Sequence, residues 1–222
     1  MEELGASAQR IYDPFAYRPV LRERFAPVSV AEAFTLAPRC PIVWRRDAQG
    51  DLQLVAIRSL NPEAEVPGIH TLPREGLPLL LQAFPFRFRD ADAGDYEIGL
   101  DRSAPARERD IGSYIFDGRG ELLPGAELKL RALEEFRRES EVGKALLQAA
   151  LHHGFLEPVV LPEAIRTRYL LPDFMVVVSE PDDALLLQDL PKDRWMTAMR
   201  FLTAQRLSLY QMARLITWAE AA

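Results

Sequence analysis

The residue types able to do chemistry are few and widely spaced. His152 and His153 are adjacent. Neighbouring side chains on a helix point about 100° apart, so the pair is not expected to converge on one metal ion. A basic group in the last turn of a helix interacts favourably with the helix dipole, which accounts for both. His70 stands in a Pro/Gly loop with no Asp or Glu at ligand spacing. Cys40 precedes a proline at a strand start, where a buried, inert thiol is expected; a nucleophile would need a lowered pKa and a histidine partner. Glu97 and Asp101 lie four apart and share a face of one strand. With Asp90, Asp92 and Asp95 they could meet a hard cation, but the spacing matches no calcium loop, and a solvated acidic loop is expected. Gly118 and Gly120 lack the strand–glycine–helix order of a phosphate loop. Trp44, Trp195 and Trp218 could wall an aromatic pocket, with core packing expected for at least two. No catalytic residue, metal centre or cofactor is expected from this set. A ligand site would have to be assembled from His70, Glu97, Asp101, Glu157 and Trp44, which are distant in sequence.

The elements that would position these groups begin with a helix over 125–155. Pro124-Gly125 punctuates its start, and Gly154 followed by Pro158 its end. Leu133, Phe136, Ser140, Gly143, Leu147, Ala150 and Gly154 fall on one face, with the small residues Ser140 and Gly143 at its centre, where another element can approach closely. Strand patterns at 40–44 and 52–60 flank the turn Asp47 to Asp51 and make the clearest hairpin. Leu52, Leu54, Ala56 and Arg58 point one way and Gln53, Val55, Ile57 and Ser59 the other. Ser29 and Glu32 have capping-box spacing. Shorter strands are expected at 85–89, 96–101 and 156–161, and a small hairpin at 114–123. The β-prone run Phe174 to Val178 reads as a central strand, with 184–187 pairing back on it. From Pro191 the pattern is helical, with Asp189 as a candidate N-cap and a bend or break at Thr203-Ala204-Gln205. Residues 1–24 read as an irregular arm with tucked-in aromatics, and 25–222 as one domain. The fold class is α+β: a mostly antiparallel, curved sheet of hairpins packed on a long helix, with a C-terminal helical segment.

Composition sets the outer limits. The chain has 222 residues, 48% of them hydrophobic and 27% charged, as in an ordinary globular protein. Its net charge of −6 argues against a general nucleic-acid binder, whose affinity comes largely from neutralising phosphates. Arg10, Arg18, Arg22 and Arg24 cluster, but Glu23 interrupts them, and a solvated surface is expected. The single cysteine permits no intrachain disulfide. No apolar run approaches the ~20 residues of a membrane span, and the acidic N-terminus has no apolar run behind it to act as a Sec signal. A cytoplasmic location is expected.

Several landmarks, in order, resemble the SapC family of bacterial proteins. They are the Pro41-Ile42-Val43 strand, its partner from Val55 to Leu60, the Phe84-Pro85-Phe86 step into a strand, and Ile98 to Asp101. The Phe116-Asp117-Gly118 turn follows, then a long helix closing on Gly154-Phe155-Leu156-Glu157-Pro158, and a leucine- and aromatic-rich helix from Ser208 to Trp218. The resemblance covers roughly 25–220; the arginine-rich arm and the loop 61–76 depart from it. It implies little chemistry and no established catalytic residues. The family takes its name from a surface-layer locus, and members are often encoded near flavin-dependent tryptophan-halogenase-like proteins. The resemblance therefore implies an accessory or binding protein with a protein partner, possible partners including a halogenase-like enzyme or a second copy of the chain. The rival expectations are an enzyme with an assembled site and a surface-layer structural protein.

Overall fold

The computed structural model describes residues 10–90, 96–103, 105, 111–178 and 183–221, with the side chains of Asp90 and Tyr96 left aside. Asp92, Asp95 and most of the acidic stretch lie outside the described residues. The chain runs β1 (Arg10–Ile11), α1 (Arg18–Arg22), β2 (Phe25–Pro27), α2 (Ala33–Leu36), β3 (Ile42–Arg46), β4 (Leu52–Ile57), α3 (Leu79–Ala83), β5 (Phe86–Asp90), β6 (Tyr96–Leu100) and β7 (Ser113–Tyr114). It continues through α4 (Pro124–His152), β8 (Leu156–Pro158), α5 (Glu163–Tyr169), β9 (Phe174–Val177), α6 (Asp183–Gln188), α7 (Trp195–Ser208) and α8 (Gln211–Ala221). This is an α+β architecture.

Five strands form an antiparallel sheet in the order β2-β4-β3-β9-β8. The hairpin register sets Val43 opposite Val55 and Trp44 opposite Leu54. Alternation along each strand feeds two cores. Ile42, Trp44, Leu54, Ala56 and Val177 face α2, α6, α7 and the C-terminal half of α4. Val43, Val55, Ile57, Phe174 and Val176 face Tyr169 of α5 and Met212 and Leu215 of α8. Cover on both faces explains why β3 opens with an unbroken apolar run rather than an alternation.

A 29-residue helix such as α4 is ~43 Å long, whereas strands of five or six residues span only ~17–20 Å. One sheet cannot cover it. The C-terminal half of α4 lies on the five-stranded sheet through Val142, Leu146 and Ala150. The N-terminal half carries Ala126, Ala132 and Leu133 into a separate cluster with Phe86 of β5, Ala83 of α3 and Ile115. There, β5 and β6 form a two-stranded hairpin of their own. Pro124 occupies the first turn, and Glu127 complements the dipole. The helix ends in a Schellman motif: Phe155 N–H donates to Ala150 O (2.8 Å), Gly154 N–H donates to Leu151 O (3.2 Å), and Gly154 takes φ +70°.

Four expectations change. Residues 10–24 are not irregular: they hold β1 paired with β7, a 3-10 turn and α1, and they bury Ile11, Tyr17, Val20 and Leu21. Residues 184–187 do not pair as a strand but lie in α6, where Leu186 is fully buried and Arg206 grips Asp183 at 2.6 and 3.2 Å. The C-terminal helices part at Leu209 and Tyr210, not at Thr203 to Gln205. Gln205 and Ser208 instead tie α7 to the sheet: Gln205 Oε1 accepts from Val177 N–H (3.0 Å) and Ser208 Oγ from Ile42 N–H (2.9 Å). Asp189 is not an N-cap, as described below. Only half of the Ser29–Glu32 box closes, the Glu32 carboxylate taking both Ser29 N–H and Oγ while α2 begins at Ala33, and Glu32 reaches further. One carboxylate oxygen accepts from Ser29 N–H (2.7 Å) and the other from Leu79 N–H (2.6 Å) at the start of α3.

Candidate functional site

The sheet changes under α4 at its small residues, and a cleft opens there. Gly143 is buried; a Cβ on it would stand 3.4 Å from Val30 Cγ1 and 4.0 Å from Trp44 Cη2. This is the close approach that the small-residue stripe predicts. One and two turns earlier, Ser140 and Phe136 face a gap of about 290 Å³ between α4, the β3–β4 hairpin and β5. Trp44, Leu52, Leu54 and Phe88 complete its apolar lining. The volume is at the small end of ligand clefts, ~300–1,000 Å³.

The polar groups around the cleft are engaged locally. Ser140 Oγ donates to Arg137 O (2.8 Å), Ser29 Oγ donates to Glu32, and Asp47 Oδ1 accepts from the N–H groups of Gln49 and Asp51. Arg137 pairs with Glu134 and Lys144 with Glu141. The buried Trp44 indole N–H, by contrast, has no partner in the protein. The lining is mostly apolar, and among the described lining residues no nucleophile–base pair is present.

The other sequence candidates lie elsewhere. His70 Nε2 meets Glu65 Oε2 at 2.7 Å, so it does have an acidic neighbour, five residues upstream. Glu97 sits on β6 opposite Arg89 and is exposed. Asp101 follows β6, accepts from Ser103 N–H (3.0 Å) and Oγ (2.6 Å), and pairs with Arg87 at 3.3 Å. Glu157 is exposed on the edge strand β8. Glu97 and Asp101 share a hairpin, but none of these four lines the Trp44 cleft. Only Trp44 among the three tryptophans is in the core; Trp195 and Trp218 are 36% and 38% exposed.

The histidine pair behaves otherwise than its spacing implies. His152 Nδ1 and His153 Nε2 both meet Asp189 Oδ2, at 3.2 and 3.0 Å, and the ring centroids are 4.7 Å apart. The 100° rule fails because the helix ends at His152 and the loop after α6 brings Asp189 between the two rings. Their hydrogen bonds hold the Asp189 carboxyl below its ordinary range. The three ligating atoms lie within 4.8 Å of one another, a spacing that could hold a divalent ion. Sequence carried no signal for this, since Asp189 is 36 residues from His153.

A family model described as SapC matches residues 10–215. The chain belongs to the SapC family. The match takes in all three sheets, α4 and the segment 10–24, which packs as part of the fold. Neither a curated protein nor a solved structure matches this SapC chain. Among the described residues, no helix is long and apolar enough to cross a membrane.

Proposed function

We infer that this SapC chain is a cytoplasmic accessory protein that binds and does not catalyse, and that its Trp44 cleft receives a small, ring-sized apolar group. The observation that supports this reading is the cleft itself: an apolar gap at the junction of two sheets, walled by Trp44, Phe88 and Phe136, where Ser140, Arg137 and Lys144 are engaged by local partners. A flavin-dependent halogenase-like enzyme is the partner to which the family resemblance points. Leu207 and Tyr210, exposed where α7 meets α8, are the apolar surface on which a second copy would dock.

The test begins with Trp195→Phe/Trp218→Phe protein, in which Trp44 is the sole indole. Titration with naphthalene is expected to shift Trp44 emission saturably. Ser140→Leu, which places a leucine over the cleft at a partly exposed helix position, is expected to abolish that shift while the circular dichroism spectrum stays unchanged. A non-saturable response, or an equal response in Ser140→Leu, overturns the cleft. Turnover of a small molecule by the purified chain overturns the non-catalytic role, and failure to co-purify with a halogenase-like protein encoded beside it overturns that partner. Fractionation and concentration-dependent light scattering check location and self-association.

A further inference from the structure

A second cleft, of about 310 Å³, lies at the open end of the β3–β4 hairpin, where the loop after β4 folds over α2 and α8. Arg39, Arg58 and Arg214 all line it, and Cys40 lies among the three. Arg58 is 4% exposed, and its Nη1 donates to Val20 O (3.0 Å) and Glu23 O (3.2 Å), but its Nη2 has no partner. Arg214 donates through Nη2 to Arg39 O, stacks on the Trp218 ring at 4.6 Å, and leaves Nε unpartnered. Arg39 lies so close over Gly76 that a Cβ there would be 2.5 Å from Arg39 Nη1.

None of these three guanidiniums has a carboxylate within ion-pair distance among the described residues. Several other arginines of this acidic chain are ion-paired: Arg87 with Asp101, Arg131 with Glu127, Arg166 with Asp173, Arg206 with Asp183. A buried guanidinium hydrogen-bonded only to backbone carbonyls is penalised strongly, and for Arg58 the charge of Glu23, outside ion-pair distance, offsets that penalty only in part. Burial lowers Arg58 to about 10, so it still carries its charge at neutral pH. Cys40 does not neutralise it: burial pushes the thiol up, against the pull of the three arginines.

We propose that this cleft binds a small amphiphilic anion, a phosphate or carboxylate group on an apolar body, with Arg58 as buried anchor, Arg39 and Arg214 as the clamp and Trp218 as a wall. A guanidinium presents paired N–H donors matched to two oxygens of such a head. Leu36, Val66, Ile69 and Leu72 line the same space and suit the apolar body. A bare inorganic ion would leave that apolar lining unused.

The experiment is calorimetric titration of the full chain, in low-salt buffer free of phosphate, with phenyl phosphate, benzoate and benzyl alcohol. Saturable binding of phenyl phosphate, benzoate or both is expected, with benzyl alcohol at least tenfold weaker; which anion prevails identifies the head group. Arg58 supports the backbone of α1, so the variants are Arg39→Gln and Arg214→Gln. Each is expected to weaken the anion about tenfold or more while leaving the circular dichroism spectrum unchanged, since each removes a charged hydrogen-bond donor. Ser140→Leu is expected to bind the anions normally, so failure of the Trp44 cleft and failure of this site are distinguishable. No binding of either anion, equal binding of benzyl alcohol, or full affinity in the Arg39→Gln/Arg214→Gln double variant overturns the proposal.

Discussion

The buried amine of Lys129 makes the stability of this protein depend on pH. Lys129 lies on α4, is 3% exposed, donates through Nζ to Phe84 O, and stands 5.9 Å over the Tyr17 ring. No carboxylate lies within ion-pair distance of it among the described residues. Burial, with Arg74 adding repulsion, lowers its pKa from 10.5 to about 7. A folded-state pKa below the unfolded one means that the unfolded chain holds a proton the folded chain has released. Stability therefore rises with pH across the window from about 7 to 10.5, and below pH 7 the full penalty applies. The ceiling on that penalty is about 5 kcal/mol, and between pH 6 and 9 about 2.5 kcal/mol of it is relieved. Lys129→Met keeps the length of the chain, removes the charge, and loses the bond to Phe84 O at ~1–3 kcal/mol. Urea denaturation of both proteins at pH 6, 7, 8 and 9 reads the difference directly. The variant is expected to gain on the parent most at pH 6, and the gap to shrink by about 2.5 kcal/mol by pH 9. Tyr17, which burial pushes up to about 12, titrates outside this window. Parallel curves for the two proteins would show that Lys129 is solvated in the folded state and would refute the reasoning.

Other expectations follow from single contacts. Gly143→Ala sets its Cβ at ordinary contact with Val30 and gains helix propensity of up to ~1 kcal/mol, so its melting temperature is expected to hold or rise; Gly143→Leu overpacks the same contact by ~1–3 kcal/mol and is expected to melt lower. Ser208→Ala strips Ile42 N–H of its buried acceptor, a loss of ~1–3 kcal/mol that thermal denaturation would register at ~2–4 °C per kcal/mol. Gly154→Ala forces a Cβ into φ +70°, and ~1–2 kcal/mol of destabilisation by urea titration is expected.

What the sequence made legible was periodic or local. The 3.6-residue stripe of α4, the β3–β4 hairpin, the Gly154 terminus and the Ser29–Glu32 hydrogen bonds all rest on contacts a few residues apart. The stripe also marked where the cleft opens, because Ser140 and Gly143 lack bulk at the point where the sheets part. What was hidden depends on distance or lacks a period. Leu185, Leu186 and Leu187 in succession fit a buried strand or a helix equally, and only Leu186 seated in the core, with Asp183 held by Arg206, decides for α6. The segment 10–24 looked loose because its prolines break local structure and its arginines suit a solvated surface, whereas Ile11, Tyr17 and Val20 are buried by partners far along the chain. Arg39, Arg58 and Arg214 span 175 positions, and no local pattern announces their convergence.

The division of α4 between two sheets also sets an order of opening. An isolated two-stranded hairpin is marginal in water, so β5–β6 borrows its persistence from the half of α4 on which it rests. The five-stranded sheet, closed on both faces, does not. Amide exchange is therefore expected to be faster in Phe86–Asp90 and Tyr96–Leu100 than in Ile42–Arg46 and Leu52–Ile57. A ligand lodged between Phe88 and Trp44 would bridge the two bodies, and its arrival would be read as slowed exchange in a hairpin that otherwise breathes on its own.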